Sequence, residues 1–412
     1  MKKFLLTLFT VAIFTVPLIY AQKNEQSTEM TLSGVIKEVK DNNPSLAAAR
    51  RQLSLLEADE LISSAYANPN IEIEKSASGG PAGYEVKASQ PVPLTRRTGK
   101  AKAAARTAFE AAKKELEALE NLTLSSARKA WYALHIAKER RNFEETNLRF
   151  SMDILNKIEM RLQTGEAGNA DLSRAKVETA RSGYRLQDAD TMLSAAMGEL
   201  NELMGRRPEL PVHLPENGGF SLIPVPSPPE PLEKYTELAL AGRPEMSAAA
   251  LRGKAADLSL ALEKYRRIPV PEIGLMYGSD SGTGYSKLFL GFELPLWYNS
   301  KGEIKKALAQ KSITDCEAKR AEMRIRAEAY TAWLELGLAR KRLAAAREIV
   351  VMLNDLRRTA AQDYLSGKID LSAFYETNRV FLEENINYLD ALKGYYEKTA
   401  QMSAATNSWE EQ

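Results

Sequence analysis

A single cysteine, Cys316, stands in the 412 residues, so no intrachain disulfide holds this fold. Histidine is almost as scarce. His135 lies in an apolar helical stretch, His213 lies far from it, and no metal-ligand spacing occurs anywhere. An excess of charge is missing too, since 56 Lys+Arg stand against 54 Asp+Glu. Balanced charge gives no reason to expect nucleic acid as a partner. There is no nucleophile elbow and no phosphate loop. The acidic and basic residues fall mainly on regular helical faces, which a solvated surface explains, so nothing reads as an enzyme and no cofactor is expected. Long apolar runs are absent except at the start. There Lys2 and Lys3 precede a charge-free run from Phe4 to Tyr20, then Ala21 and Gln22. That order predicts a signal peptide over residues 1–21, with a retained anchor as the alternative. No cysteine follows the expected cut, which excludes lipid attachment there.

What the chain does have is written twice. "NPSLAAAR" (Asn43 to Arg50) is echoed by "RPEMSAAA" (Arg243 to Ala250). "KAWYALHIAK" from Lys129 returns as "TAWLELGLAR" from Thr331, with Trp131 matching Trp333. "TGEAGNADLS" from Thr164 has a shorter partner, "SGKIDLS", from Ser366. Offsets near two hundred define a repeated unit over 30–206 and again over 232–404. A Pro-rich linker spans 207–231 and a tail covers 405–412. Each unit reads as a helix of roughly 35 residues, a β-hairpin, a long helix and a return helix. The first helix carries Pro44 or Pro244 after its opening turns. The hairpins fall at about 69–93 and 270–296, around the Gly-rich turns "SGGPAG" and "SDSGTG". The long helices, near Arg97–Leu162 and Gly302–Leu365, predict rods of ~100 Å. Leu148, Met152, Leu155, Ile158 and Leu162 form an expected coiled-coil seam, as do Ile349, Leu353, Leu356 and Ala360. Gly165 and Gly367 mark the turns at the far tips.

The strands carry the functional signal. Leu288, Leu290, Phe292 and Leu294 share one face, with Lys287, Gly291 and Glu293 on the other. Ile71 and Ile73 alternate with Glu72 and Glu74, and Tyr84, Val86 and Ala88 with Glu85, Lys87 and Ser89. Apolar residues on one side and charged ones on the other is the pattern of a transmembrane β-strand. A small sheet resting on helices is the alternative, but elongated rods offer no broad core to cover it. Four strands cannot close a barrel, and an open edge cannot stand in lipid, so several chains must pool their strands.

The ordered, repeated set of Asn-Pro or Arg-Pro helix start, hairpin, strand-end Pro-Leu and Gly-containing restart resembles the TolC-type outer-membrane efflux family. So does the tip pattern "TGEAGNADLSRAK", with Asp171 six residues past Gly165. "LPLWYNSKGEI" is similar to the branch that serves cation resistance-nodulation-division pumps. The resemblance implies a mainly α protein with membrane β-structure. It implies a homotrimer whose twelve-stranded barrel in the outer membrane continues into a helical periplasmic tunnel. It implies two partners, a periplasmic adaptor and an inner-membrane pump, and a passive exit duct for small molecules or metal cations. The family narrows its tunnel at the periplasmic tip with polar contacts. On this chain that maps to Asp171, Lys368, Asp370 and Glu376, with Lys368 expected to offset the aspartates. The second copy departs from the pattern, with Ala373 six residues past Gly367. A periplasmic coiled-coil structural or adaptor protein is the competing reading.

Overall fold

The computed structural model describes residues 30–76, 83–215, 230–280 and 283–408. The expected leader, most of the Pro-rich linker, most of the first Gly-rich turn and the middle of the second lie outside these residues. The chain folds as eight helices and four strands among the described residues. In the first copy these are α1 (Leu32–Asn42), α2 (Pro44–Ser64), β1 (Asn70–Ser76), β2 (Gly83–Pro91), α3 (Arg97–Gln163) and α4 (Asn169–Leu203). The second copy repeats the order with α5 (Leu232–Gly242), α6 (Pro244–Tyr265), β3 (Pro271–Asp280), β4 (Thr283–Phe292), α7 (Lys301–Leu365) and α8 (Leu371–Thr406). The last helix thus continues into the residues expected to form a tail. At 67 and 65 residues, α3 and α7 are rods of about 100 Å.

The first helix of each copy is broken where a continuous one was expected. Proline lacks an N–H and crowds the residue before it out of helical geometry. Asn43 accordingly sits at φ −63°, ψ 122°, and Arg243 at φ −76°, ψ 128°. The two copies then stabilise the break differently. Asn43 caps α2, its Oδ1 accepting from the backbone of Ser45 (3.0 Å) and Leu46 (3.1 Å). Its Nδ2 donates to the Leu203 carbonyl at 2.8 Å, tying the break to the end of α4. Arg243 instead buries a guanidinium between Glu245, at 2.5 Å, and Glu328 on α7.

Packing is organised by the two rods. Among the long helices, α2 and α4 pack extensively against α3 alone, whereas α6 and α8 each pack against both α3 and α7. Val35, Val39, Leu134, Leu200 and Met204 close the core where α1 and α4 meet α3. Leu343, Val350, Leu389 and Leu392 do the same between α7 and α8.

The coiled-coil period is present but its buried line is displaced. In the first hairpin the buried residues are Glu144, Asn147, Ser151, Ile154 and Ile158, while Met152 is exposed. In the second, Val350, Leu353, Ala360 and Tyr364 are buried while Ile349 and Leu356 are exposed. Each rod therefore carries two adjacent stripes, one packed within the chain and one left open. The first seam is polar: Ser151 and Ser182 hydroxyls meet at 3.0 Å, and Glu144 faces Arg185 at 3.4 Å.

Burial opposes the charged form of Glu245, but hydrogen bonds and charge from Arg243 prevail and hold it below the usual carboxylate range. A depressed folded pKa adds stability above the unfolded value, near pH ~4, and that stability is lost as pH falls through the folded value. Arg243→Met is expected to cost about 3 kcal/mol at neutral pH by stranding Glu245. Denaturation curves between pH 7 and about pH 3 should show Glu245→Gln losing less stability on acidification than the parent.

Candidate functional site

Two regions carry candidate function: the helical tips and the sheet. At the tips, α3 turns into α4 and α7 into α8 by the same device. Gly165 (φ 77°) and Gly367 (φ 75°) adopt the left-handed conformation that glycine tolerates best. Glu166 N–H reaches back to the Arg161 carbonyl (2.8 Å) and Gly165 N–H to that of Leu162 (3.1 Å). Lys368 and Gly367 repeat the pair with Asp363 (2.8 Å) and Tyr364 (3.0 Å). Both ends are Schellman caps, which satisfy the last helical carbonyls while reversing the chain.

The expected aperture residues cluster here, with local partners. Asp171 Oδ2 accepts from the Gly168 backbone at 3.2 Å, and Asp370 Oδ1 from that of Ala373 at 2.8 Å. Both aspartates thus cap the return helices, with their charge at the positive ends. Lys368 Nζ binds Asp363 at 3.1 Å, a residue one helical turn back on its own rod. Glu376 pairs with Arg379 at 2.6 Å, whose hydrogen bonds hold that carboxyl below its usual range.

Several tip residues escaped the sequence reading because arginine on a helix looks like solvated surface. The Arg161 guanidinium lies over the Tyr364 ring at 5.5 Å and reaches Glu166 at 3.5 Å. Arg174 donates to the Ser372 hydroxyl, joining α4 to α8. Arg357 is held between the rings of Phe150 (4.1 Å) and Phe381 (4.2 Å), and burial lowers its pKa to about 10. Ile158, Ala175, Leu371 and Phe374 close the apolar core behind these contacts. Only their proximity across two hairpins, about two hundred residues apart, marks them.

The sheet is an antiparallel meander in the order β1-β2-β3-β4, and its register sorts the side chains. Ile71, Ala88, Leu275 and Leu288 lie in one row, and Ile73, Val86, Tyr277 and Ser286 in the next. Ile73 and Leu288 are each 75% exposed, so no described part of the chain covers this apolar face. The opposite face holds Glu72, Lys87, Met276 and Lys287 in one row and Glu74, Glu85, Gly278 and Tyr285 in another. Here Tyr285 donates to Glu85 at 2.6 Å, and Lys87 lies 3.4 Å from Glu72. Gly274 and Gly278 are needed on this face because the Phe289 and Tyr285 rings occupy the space a Cβ would fill. Leu290 and Phe292 are on the apolar face as expected, but Leu294 is not in a strand. β4 ends at Phe292, opposite Pro271, the first residue of β3, and no partner remains beyond it. Leu294 is exposed in the segment that leads to α7. No helix among the described residues is long and apolar enough to cross a membrane.

Residues 236–408 match the outer membrane efflux protein family. The cobalt-zinc-cadmium resistance protein CzcC of Cupriavidus metallidurans is 20% identical over 382 residues, covering 90% of this chain and 89% of that protein. Among solved structures, the open-state MtrE outer membrane channel of Neisseria gonorrhoeae superposes with a TM-score of 0.76 at 17% identity, covering 92% of this chain and 89% of that one. CusC, described for its transmembrane channel formation, superposes at 0.71 and 16% identity, with 92% of each chain covered. These neighbours are channels rather than enzymes, and the chain shares their fold over nearly its whole length.

Alanine at Gly165 or Gly367 should open its tip, because a Cβ in the left-handed region costs about 1 kcal/mol or more. Hydrogen exchange of the amides at 165–168 or 367–370 is expected to speed up about fivefold or more in the corresponding variant, with the other tip unchanged.

Proposed function

We propose that the chain is a TolC-type outer membrane efflux protein and the passive exit duct of a tripartite efflux system. Its β-part lies in the outer membrane and its helices reach into the periplasm. Three copies pool their strands into a twelve-stranded barrel. A periplasmic adaptor and an inner-membrane pump of the resistance-nodulation-division type deliver the cargo. Likeness to the cobalt-zinc-cadmium resistance protein CzcC supports metal cations as that cargo, with small organic molecules as the second possibility.

The observation that carries this reading is the sheet: an apolar face exposed on all four strands, two open edges, and rods of about 100 Å leaving one end. A soluble adaptor has no use for such a face. The repeat supports the ring. In the second copy, α6 and α8 fill the groove between α3 and α7. In the first, α2 and α4 border a groove open on one side, with Leu61, Ile62 and Tyr184 exposed. The open stripe of α7, including Met352 and Leu356, has the matching character. A head-to-tail contact of α2 and α4 on the next chain's α7 repeats the internal packing and closes a ring.

Insertion tests the barrel. Leu288→Arg and Leu290→Arg are expected to weaken membrane insertion by ~2–4 kcal/mol near mid-bilayer, and Lys287→Gln on the polar face to leave it largely intact. Mass measurement in detergent should give a trimer, and a stable folded monomer would overturn the ring.

In this reading Asp171, Lys368, Asp370 and Glu376 surround the periplasmic mouth, each repeated three times. Asp171→Asn with Asp370→Asn removes charge while keeping a side chain able to cap a helix. Planar-bilayer recordings should show altered conductance or cation preference for this pair. Asp280→Asn, at the far end of β3, should behave like the parent. The reverse result places the mouth elsewhere.

A further inference from the structure

The band where strands meet helices has a chemistry that conduction does not use. Three ties hold it together: Gln90 Nε2 donates to the Ala67 carbonyl (2.7 Å), Val92 N–H to that of Pro271 (2.8 Å) and Arg267 Nε to that of Asn299 (3.1 Å). Past the end of β4 the apolar side chains Leu294 and Leu296 follow Phe292 in the chain, both exposed. Next comes Trp297, 98% exposed. Leu94, after the end of β2, is exposed as well. Beneath this apolar rim the helices begin and end on cations: Arg96 and Arg97 at α3, Arg266 and Arg267 after α6, Lys301 at α7. Glu263 pairs with Arg266 at 3.0 Å. Arg96, Arg97, Arg267 and Lys301 form no ion pair among the described residues.

We propose that this collar binds anionic phospholipid headgroups in the leaflet on the helical side, with Trp297 and Leu94 at the hydrocarbon boundary and the arginines on the phosphates. The proposal rests on the barrel reading and adds a lipid preference to it. Continuity with the apolar strand face sets the depth, and charge complementarity sets the partner. An indole suits the headgroup level, and a guanidinium forks onto two phosphate oxygens. A second copy of the chain is the weaker occupant. It docks on the β1 or β4 edge and reaches Trp297 and Lys301, whereas Leu94, Arg96 and Arg97 follow β2, and Arg266 and Arg267 precede β3. Those are the two central strands.

The test compares the purified full-length assembly with the variant Arg96→Gln/Arg97→Gln/Arg266→Gln/Lys301→Gln, which leaves the Arg267 tie in place. Both are presented to vesicles of phosphatidylcholine alone and of phosphatidylcholine with phosphatidylglycerol. The parent should favour the anionic vesicles by about tenfold or more, and the variant should lose that preference while entering neutral vesicles as the parent does. Brominated lipid should quench fluorescence in the parent more than in Trp297→Phe. Equal insertion of parent and variant in both vesicles, with quenching unchanged by Trp297→Phe, overturns the collar and leaves the barrel standing. A parent that enters neither vesicle overturns the barrel and the collar together.

Discussion

Unpaired backbone at the two edges of a four-stranded meander is the constraint on which the rest of this molecule depends. Each edge strand offers a row of N–H and C=O groups along β1 or β4 that no described part of the chain satisfies. In water such an edge invites aggregation; in hydrocarbon it is intolerable. The exposed rows of Ile71, Ile73, Leu275 and Leu288 direct this sheet toward hydrocarbon. Pairing β4 of one copy with β1 of the next satisfies every strand at once, and that demand passes down to the helices hung from the strand ends.

The helices answer it with their own incomplete packing. A repeat that fills one groove within the chain and leaves its equivalent open needs no separate interface design. The displaced seams fit this. Residues such as Met152 and Leu356 form an apolar stripe left exposed beside the one that the chain packs. The tips are closed by local chemistry, with glycine in the left-handed region, aspartates on helix starts, and Arg161 and Arg174 joining the two hairpins.

Much of this was legible in the sequence because its signals are local. Alternation in "KLFLGFE" places Leu288 and Leu290 on one face, and Gly367 ends α7 where a positive φ is needed. The phase of the coiled coil was not legible, since periodicity reports spacing and cannot tell a stripe packed inside from one packed between chains. The breaks before Pro44 and Pro244 follow from the restriction that proline places on the preceding residue, a local rule masked by the helical sequence on either side. For Asp171 and Asp370 the place at the tips was legible and the capping role was not. A cap is a matter of one hydrogen bond, which composition and spacing do not record. Arg357, stacked between two rings from distant helices, carries no sequence mark at all.

A chain with two unlike edges has a consequence for inheritance as well as for structure. In a threefold ring, each copy's β4 must find a neighbour's β1, so one damaged edge spoils a whole assembly rather than a third of it. Where damaged and sound chains are made in equal amounts and mix freely, only about one ring in eight contains none of the damaged kind. Lesions in β1 or β4 should therefore be dominant. Lesions in the buried seam of one hairpin, which unfold a chain before it is recruited, should be recessive.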